Sequence, residues 1–185
     1  DIDNSLDAIE NSEIVLMQLE IPIKTIEYAA QIAKSRGKMV ILNPAPAPTE
    51  PLPLSILKNI DLITPNETEA ELISGIPVVD EPSAIAAAKR MAELGVKKII
   101  ITMGSKGAML YEDGEAELIP SIRVKAVDTT AAGDCFNGAL TIAISEGRSL
   151  KDAVLFANRA AAISVTRPGA QVSMPYRHEV DVANF

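Results

Sequence analysis

A run of small residues around an acid is the part of the sequence best suited to chemistry. It reads Ala131, Ala132, Gly133, Asp134. We interpret residues 124–127, just before it, as the end of a strand, and the apolar spacing after it predicts a helix. Small residues let a ligand approach the backbone closely. The first N–H groups of a helix lack intrahelical partners and lie at the positive end of its dipole. We therefore predict that this turn binds an anion such as a phosphate.

Asp134 does not fit a site made only for phosphate, because a carboxylate repels phosphate. Its simplest role is to complement the helix dipole from the first turn, which requires no function. Alternatively, the turn holds a phosphoryl group while the Asp134 carboxylate takes a proton from an attacking hydroxyl. In that second interpretation Asp134 is a general base, and the N–H groups of residues 131–133 stabilise charge on the transferred group.

Asn66 and Glu69 form a second candidate pair at the start of a predicted helix. They are three residues apart, so they share one face of that helix. A capping box explains the spacing by itself, with Asn66 as the N-cap and Glu69 as its reciprocal partner. The spacing alone does not separate this structural role from a functional one.

Composition and charge limit the classes of function. The net charge of −8 over 185 residues argues against a nucleic-acid partner and against an anionic membrane surface. A single cysteine excludes an internal disulfide and fits a reducing, cytoplasmic location. No apolar run is long enough to span a bilayer. Since aromatic residues make up only 3% of the chain, the core must consist of Ile, Leu, Val and Ala.

Strands and helices alternate along the sequence. We predict strands at 14–19, 39–42, 62–64 and 98–102, and helices at 23–36, 54–60, 67–74 and 83–94. A hairpin around Asp113 and Gly114 follows, and a capped helix is predicted at 150–165. This order predicts an α/β fold, doubly wound, whose mainly parallel sheet has helices on both faces. The length indicates one domain, residues 1–185.

Ligands of such sheets bind beyond the carboxyl ends of the strands. Several polar residues fall at or just after a predicted strand end: Glu20, Asn43, Asn66, Thr102 and Asp128. That is more than loop composition alone leads us to expect, so we predict that the functional site lies at this edge.

The stretch from Asp128 to Leu140 resembles the C-terminal signature of the ribokinase-like sugar kinases. That family usually has Gly where this chain has Ala131 or Ala132. Three further stretches resemble family motifs and occur in family order: 66–69, 102–107 and 166–170. The resemblance runs from about residue 14 to the end of the chain. It implies a ribokinase-like fold and the transfer of the γ-phosphate of ATP to a sugar hydroxyl, with O5 of D-ribose as the expected acceptor.

The resemblance also implies roles for individual residues. Asp134 would deprotonate the sugar hydroxyl, next to the anion site of Ala131, Ala132 and Gly133. Glu20 would hydrogen-bond the sugar, although a lone Glu there is otherwise a solvated loop charge. The residues implied for ATP and Mg²⁺ are Asn66, Glu69, Thr102, Gly104, Ser105, Lys106, Gly107 and Asn158. The residues implied for a K⁺ site, mostly through backbone carbonyls, are Asp128, Thr130, Ser164, Arg167, Gly169 and Ser173.

Ribokinase-like enzymes are longer than this chain, which starts at Asp1 and not at a methionine. We therefore expect an N-terminal part, with the sugar-binding glycines and the lid strands, to be missing. The family dimer forms through that lid, so a homodimer is expected only at full length. Two alternatives stay open: another sugar or nucleoside kinase of the family, and a nucleotide-binding fragment without turnover.

Overall fold

The computed structural model describes residues 1–183, which form two compact units. The first unit contains residues 1–103 and 109–118 and carries the sheet. The second contains residues 104–108 and the chain from Ile119 onward, and it is mainly helical. Within residues 1–183, no helix combines the length and the apolar character that crossing a bilayer requires.

The sheet has six strands whose spatial order follows the chain. They are β1 (Ile14–Met17), β2 (Met39–Leu42), β3 (Leu62–Ile63), β4 (Lys98–Thr102), β5 (Ala108–Glu112) and β6 (Glu115–Ile119). The pairs from β1 to β4 are parallel. The links from β4 to β5 and from β5 to β6 are too short for a parallel crossover, so these pairs are antiparallel. The turn between β5 and β6 has positive φ at both Asp113 and Gly114, as the hairpin prediction requires.

Eight α-helices lie in the described residues. In the first unit they are α1 (Leu6–Glu10), α2 (Ile23–Ser35), α3 (Leu54–Leu57), α4 (Glu67–Ser74) and α5 (Glu81–Glu93). In the second unit they are α6 (Ala132–Ser145), α7 (Leu150–Ser164) and α8 (Arg177–Val182). Short 3₁₀ turns occur at Ile2–Ser5, Gly104–Lys106 and Gln171–Ser173. Capping boxes start α4 and α5, and a left-handed glycine, Gly75, ends α4.

The middle of β4 shows that the sheet is covered on both faces. Ile99, Ile100 and Ile101 each have 0% of their surface exposed. Since successive side chains of a strand point to opposite faces, helices must cover both sides of the sheet. Small helical residues such as Ala30 and Ala87 are also fully buried, which lets helices pack closely on the strands. The prediction of an α/β fold with a mainly parallel sheet is confirmed.

The prediction of a strand at 124–127 is wrong, because this segment belongs to no strand of the sheet. Its end is instead held by the residue that follows α7: the N–H groups of Val127 and Asp128 donate to the carbonyl of Val165 at 2.7 and 3.2 Å. Val127 is 63% exposed, so the segment has no buried face that would specify a ladder. Asp128 therefore does not follow a strand end, unlike the other four polar residues predicted there.

Several predicted boundaries differ by a few residues. The predicted strands 14–19 and 62–64 end at Met17 and Ile63. The predicted helix 54–60 ends at Leu57, and α5 begins at Glu81, two residues before its predicted start. The last difference has a clear cause, since Asp80 accepts a hydrogen bond from the Ser83 backbone and caps the helix.

Ser149 is the N-cap of α7, and its hydroxyl accepts a hydrogen bond of 3.1 Å from the backbone N–H of Asp152. We expect Ser149→Ala to lower the free energy of unfolding by about 1 kcal/mol, because that N–H loses its partner. Ser145→Ala, at the end of α6, removes an exposed hydroxyl that caps no helix start, and should change stability by less than about 0.5 kcal/mol. Urea denaturation measures both; equal losses in the two variants would contradict the capping role.

Candidate functional site

In the first unit, the ends of three parallel strands are aligned. Met17 pairs with Leu42, and Leu42 pairs with Ile63. The next residue on each strand is polar: Gln18, Asn43 and Thr64. Gln18 Nε2 donates to Asn43 Oδ1 at 2.9 Å, and Asn43 Nδ2 donates to the Thr64 carbonyl at 3.0 Å. The sequence placed Asn43 at this edge without a role and did not single out Gln18; a polar residue directly after each apolar strand was the available signal.

The predicted pair Asn66 and Glu69 forms a complete capping box at the start of α4. Asn66 Oδ1 accepts from the Glu69 N–H at 2.9 Å, and Glu69 Oε2 accepts from the Asn66 N–H at 2.9 Å. Asn66 Nδ2 also donates to Glu69 Oε1 at 3.0 Å. Burial raises the pKa of the Glu69 carboxyl, and the backbone hydrogen bond from Asn66 partly opposes that rise. The capping interpretation is confirmed, and the pair is held in one geometry at the strand-end edge.

Two more predicted residues of the first unit lie at the same edge. Thr102 ends β4, and its N–H donates to the Pro65 carbonyl at 2.8 Å, directly before Asn66. An isolated parallel bridge joins Asn66 and Thr102. Glu20 is exposed in the turn that follows β1. The first unit therefore presents Glu20, Asn66 and Thr102 at the carboxyl ends of three different parallel strands.

In the second unit, the predicted loop from Gly104 to Gly107 is a 3₁₀ turn with a constrained end. Gly107 has φ 112, and a Cβ there would lie 2.1 Å from the Ile119 carbonyl oxygen, so only glycine fits. The Ser121 hydroxyl donates to the Ser105 carbonyl at 2.6 Å. Ser105 and Lys106 are exposed, so their side chains are accessible to a ligand.

The helix α6 starts at the predicted anion site. Ala131 is its N-cap and has left-handed backbone angles, φ 58 and ψ 16, which favour glycine. The Ala132 N–H donates to the Thr129 carbonyl at 3.2 Å, while Gly133 and Asp134 are exposed in the first turn. The neighbouring thiol of Cys135 is buried, and burial raises its pKa. Asp134, rather than Cys135, is therefore the accessible proton acceptor of this turn.

Three of the residues predicted for a cation loop lie together around one carboxylate. Asp128 Oδ1 accepts from the Thr130 N–H and Asp128 Oδ2 accepts from the Gly169 N–H, each at 2.9 Å. The hydrogen bonds from Thr130, and then that from Gly169, hold the pKa of Asp128 below its ordinary value. Asp128 thus joins the segment before α6 to the loop after α7.

The remaining residues predicted for this loop have protein partners. Arg167 pairs with Glu179 at 2.5 Å, and this guanidinium lowers the Glu179 pKa to about 2. The Ser164 hydroxyl donates to the Ala161 carbonyl, and the fully buried Ser173 hydroxyl donates to the Ala170 carbonyl. Within residues 1–183, no cluster of three or more His, Cys, Asp or Glu side chains could hold a metal ion. Any cation held here would need backbone or water oxygens.

Asn158 lines a cavity of about 360 Å³ in the second unit. The other lining residues are Pro120, Ser121, Ile122, Leu155, Arg159 and Ala183. Asn158 is 8% exposed, and its Nδ2 donates to the Pro120 carbonyl at 3.3 Å. It is thus a satisfied buried amide and also a wall of the cavity, so its two predicted roles are compatible.

Comparison with known proteins decides the family. The profile of the pfkB family carbohydrate kinases matches residues 2–177. The chain belongs to this family. The ribokinase of Haemophilus influenzae is 48% identical, over 92% of this chain and 55% of that protein. The deoxyribokinase of Salmonella typhi is 38% identical, over 95% of this chain and 57% of that protein.

A solved structure of Arabidopsis thaliana ribokinase, complexed with ribose and ATP, has the same fold. Its TM-score is 0.91 at 37% identity, over 96% of this chain and 57% of the Arabidopsis chain. This pfkB-family chain therefore spans a little over half the length of the relatives it matches.

Because Ala131 has a left-handed backbone and Ala132 does not, we expect substitution by glycine to change the free energy of unfolding in opposite directions at these two residues. Ala131→Gly should stabilise the protein by about 1 kcal/mol, because this conformation strains any residue with a Cβ. Ala132→Gly lies within the helix and should destabilise it by up to about 1 kcal/mol. Urea denaturation of the two variants compares them directly. A loss of stability in both would show that Ala131 is not strained in solution.

Proposed function

We propose that the gene product transfers the γ-phosphate of ATP to a sugar hydroxyl, with O5 of D-ribose as the acceptor. The observation that carries the proposal is the small-residue turn at the start of α6, which places Asp134 in the first turn of the helix in a chain of the pfkB family. We propose that residues 1–185 supply the nucleotide-binding and catalytic part of that enzyme. The 48% identity to a ribokinase supports ribose as the acceptor.

The α6 turn supplies a base and an anion site side by side. The carboxylate of Asp134 accepts the proton of the sugar hydroxyl as that oxygen attacks the γ-phosphorus, and ADP leaves. Among the N–H groups at residues 131–133, that of Ala132 is bonded to the Thr129 carbonyl, so those of Ala131 and Gly133 would stabilise the charge that develops on the transferred group. The exposed position of Gly133 and Asp134 supports this assignment, since both substrates must reach them.

Each unit carries part of the residue set that we assign to the nucleotide. In the second unit, the cavity beside Asn158 would hold the base, and the turn at 104–107 would follow the phosphates. In the first unit, Asn66 and Glu69 would hold Mg²⁺ through water, since Mg²⁺ usually keeps several waters. Mg²⁺ would neutralise phosphate charge during transfer. The Arabidopsis relative was solved with ribose and ATP, which supports this pair of substrates.

The identity of the acceptor sugar is the most specific part of the proposal. A relative at 38% identity is a deoxyribokinase, so 2-deoxyribose is the competing acceptor. Glu20 and Asp134 are the residues of this chain assigned to the sugar, and they do not by themselves choose between the two. Steady-state assays of the complete gene product with D-ribose, 2-deoxyribose and adenosine separate the candidates. We expect the highest kcat/KM with D-ribose. A higher value with another acceptor would show that this other compound, and not D-ribose, is the preferred substrate.

A second candidate function, nucleotide binding without turnover, rests on the uneven distribution of the assigned residues. The described chain contains the whole predicted nucleotide set but only Glu20 and Asp134 for the sugar. Ribose-dependent ADP formation separates the two functions. If no ribose-dependent ADP formation is detected, nucleotide binding without turnover is the better description of the function.

The role of Asp134 can be tested against a matched residue. Asp134→Asn in the complete gene product should lower kcat by at least about 10²-fold and change nucleotide affinity only a few fold, because only proton transfer is lost. Asp152 occupies the same third position of α7, so Asp152→Asn should leave kcat within about 2-fold. Rapid-quench and steady-state assays measure both. If chemistry limits the rate and Asp134→Asn keeps a third of kcat, Asp134 is not the base.

The loop around Asp128 predicts a response to monovalent cations. Replacing K⁺ with Na⁺ at constant ionic strength should lower kcat or raise the apparent KM for the sugar, since the loop is joined to the segment before α6. In Asp128→Asn this response should be lost. Kinetics of both proteins in the two salts provide the measurement, and identical wild-type kinetics would remove the cation from the proposal.

A further inference from the structure

The side chain of Asn43 joins three strand ends in the first unit. Its Oδ1 accepts from Gln18 Nε2 beyond β1, and its Nδ2 donates to the Thr64 carbonyl beyond β3. Its backbone N–H also donates to the Met17 carbonyl at 2.9 Å. Asn43 is 7% exposed, so these bonds are shielded from competing water. A buried amide that makes these bonds is costly to replace, because the Gln18 amide and the Thr64 carbonyl would lose this partner.

The bond to Thr64 bears on the turn that leads into α4. This turn contains Thr64, Pro65 and Asn66, and each residue is held by a different neighbour. Asn43 binds the Thr64 carbonyl, Thr102 binds the Pro65 carbonyl, and Glu69 accepts from the Asn66 N–H. Two of these contacts come from the residues already assigned to the nucleotide. The contact from Asn43 is the one that no assigned role explains.

We propose that Asn43 is a positioning residue, whose amide fixes the Thr64–Asn66 turn and thereby orients Asn66 and Glu69 for the nucleotide phosphates and Mg²⁺. The link to phosphate rests on the proposed function, whereas the fixing of the turn does not. On the other side, Gln18 orients the Asn43 amide and lies two residues before Glu20. One buried amide therefore aligns the strand end near Glu20, which is assigned to the sugar, with the turn that leads to Asn66 and Glu69, which are assigned to the phosphates.

A second capping box in the same unit provides an internal control. The Glu69 N–H is bonded to Asn66 Oδ1, and the Ser83 N–H is bonded to Asp80 Oδ1, both at 2.9 Å. Asn43→Leu removes the amide with little change in volume. If Asn43 fixes the turn, this variant should speed hydrogen exchange at the Glu69 N–H by at least about 10-fold and at the Ser83 N–H by less than about 2-fold. NMR exchange measurements on the purified protein compare the two amides.

The exchange experiment decides the proposal in each outcome. Faster exchange at Glu69 alone supports it. Equal acceleration at both amides means that Asn43 only stabilises the unit as a whole, and no acceleration means that it does not hold the turn; either result overturns the proposal. Should Asn43→Leu fail to fold, Gln18→Met, which removes the donor to Asn43 Oδ1, is judged by the same criterion. Asn11→Asp, at an exposed helix end, should leave both amides unchanged.

Kinetics then test the link to phosphate separately. In the complete gene product, Asn43→Leu should lower kcat/KM for Mg·ATP by about 10-fold, and the loss should shrink below about 2-fold when Asn66→Ala is already present, because both changes act on one contact. The same loss in both backgrounds would overturn the positioning role. A wild-type protein without turnover would refute the proposed function, while the exchange result would still decide whether Asn43 fixes the turn.

Discussion

The alignment of parallel strand ends is the constraint on which the first unit depends. Parallel strands satisfy their backbone groups through the ladder, and the ladder stops for β1, β2 and β3 at paired residues. The groups just beyond this point still need partners, since the edge is partly buried. Asn43 supplies one such partner, since its Nδ2 donates to the Thr64 carbonyl, and Gln18 in turn donates to Asn43 Oδ1. The same alignment brings Glu20 and Asn66, from distant parts of the sequence, to one edge of the sheet.

In the second unit, the backbone is strained at the start of α6. Ala131 adopts a left-handed conformation that costs an alanine roughly 1–2 kcal/mol. Hydrogen bonds around it keep the chain in place, from Thr130 and Gly169 to the carboxylate of Asp128. Strain of this kind persists only where neighbouring structure fixes it, and it is often found at functional sites. The proposed anion site and the Asp128 loop are therefore one structural element.

Sequence patterns identified most elements because their signals are local. β2 and β4 have their predicted bounds, since each is a short apolar run between helix-ending and loop residues. The capping box of Asn66 and Glu69 could also be predicted from the sequence, because such a box depends on residues three positions apart. The segment 124–127 was misread, because no local pattern shows whether a strand will find a neighbour. The Gln18–Asn43 bond was missed for the same reason: it joins residues 25 apart whose meeting depends on strand register.

Nucleotide binding by this chain is the property on which the other proposed roles depend. Calorimetric titration of the 185-residue protein with ADP and Mg²⁺ tests it most directly, without needing a sugar or turnover. We expect saturable binding that is weakened by substitution of Asn158 and unaffected by Asn11→Asp. A folded protein that shows no saturable heat with ADP at millimolar concentration would contradict it.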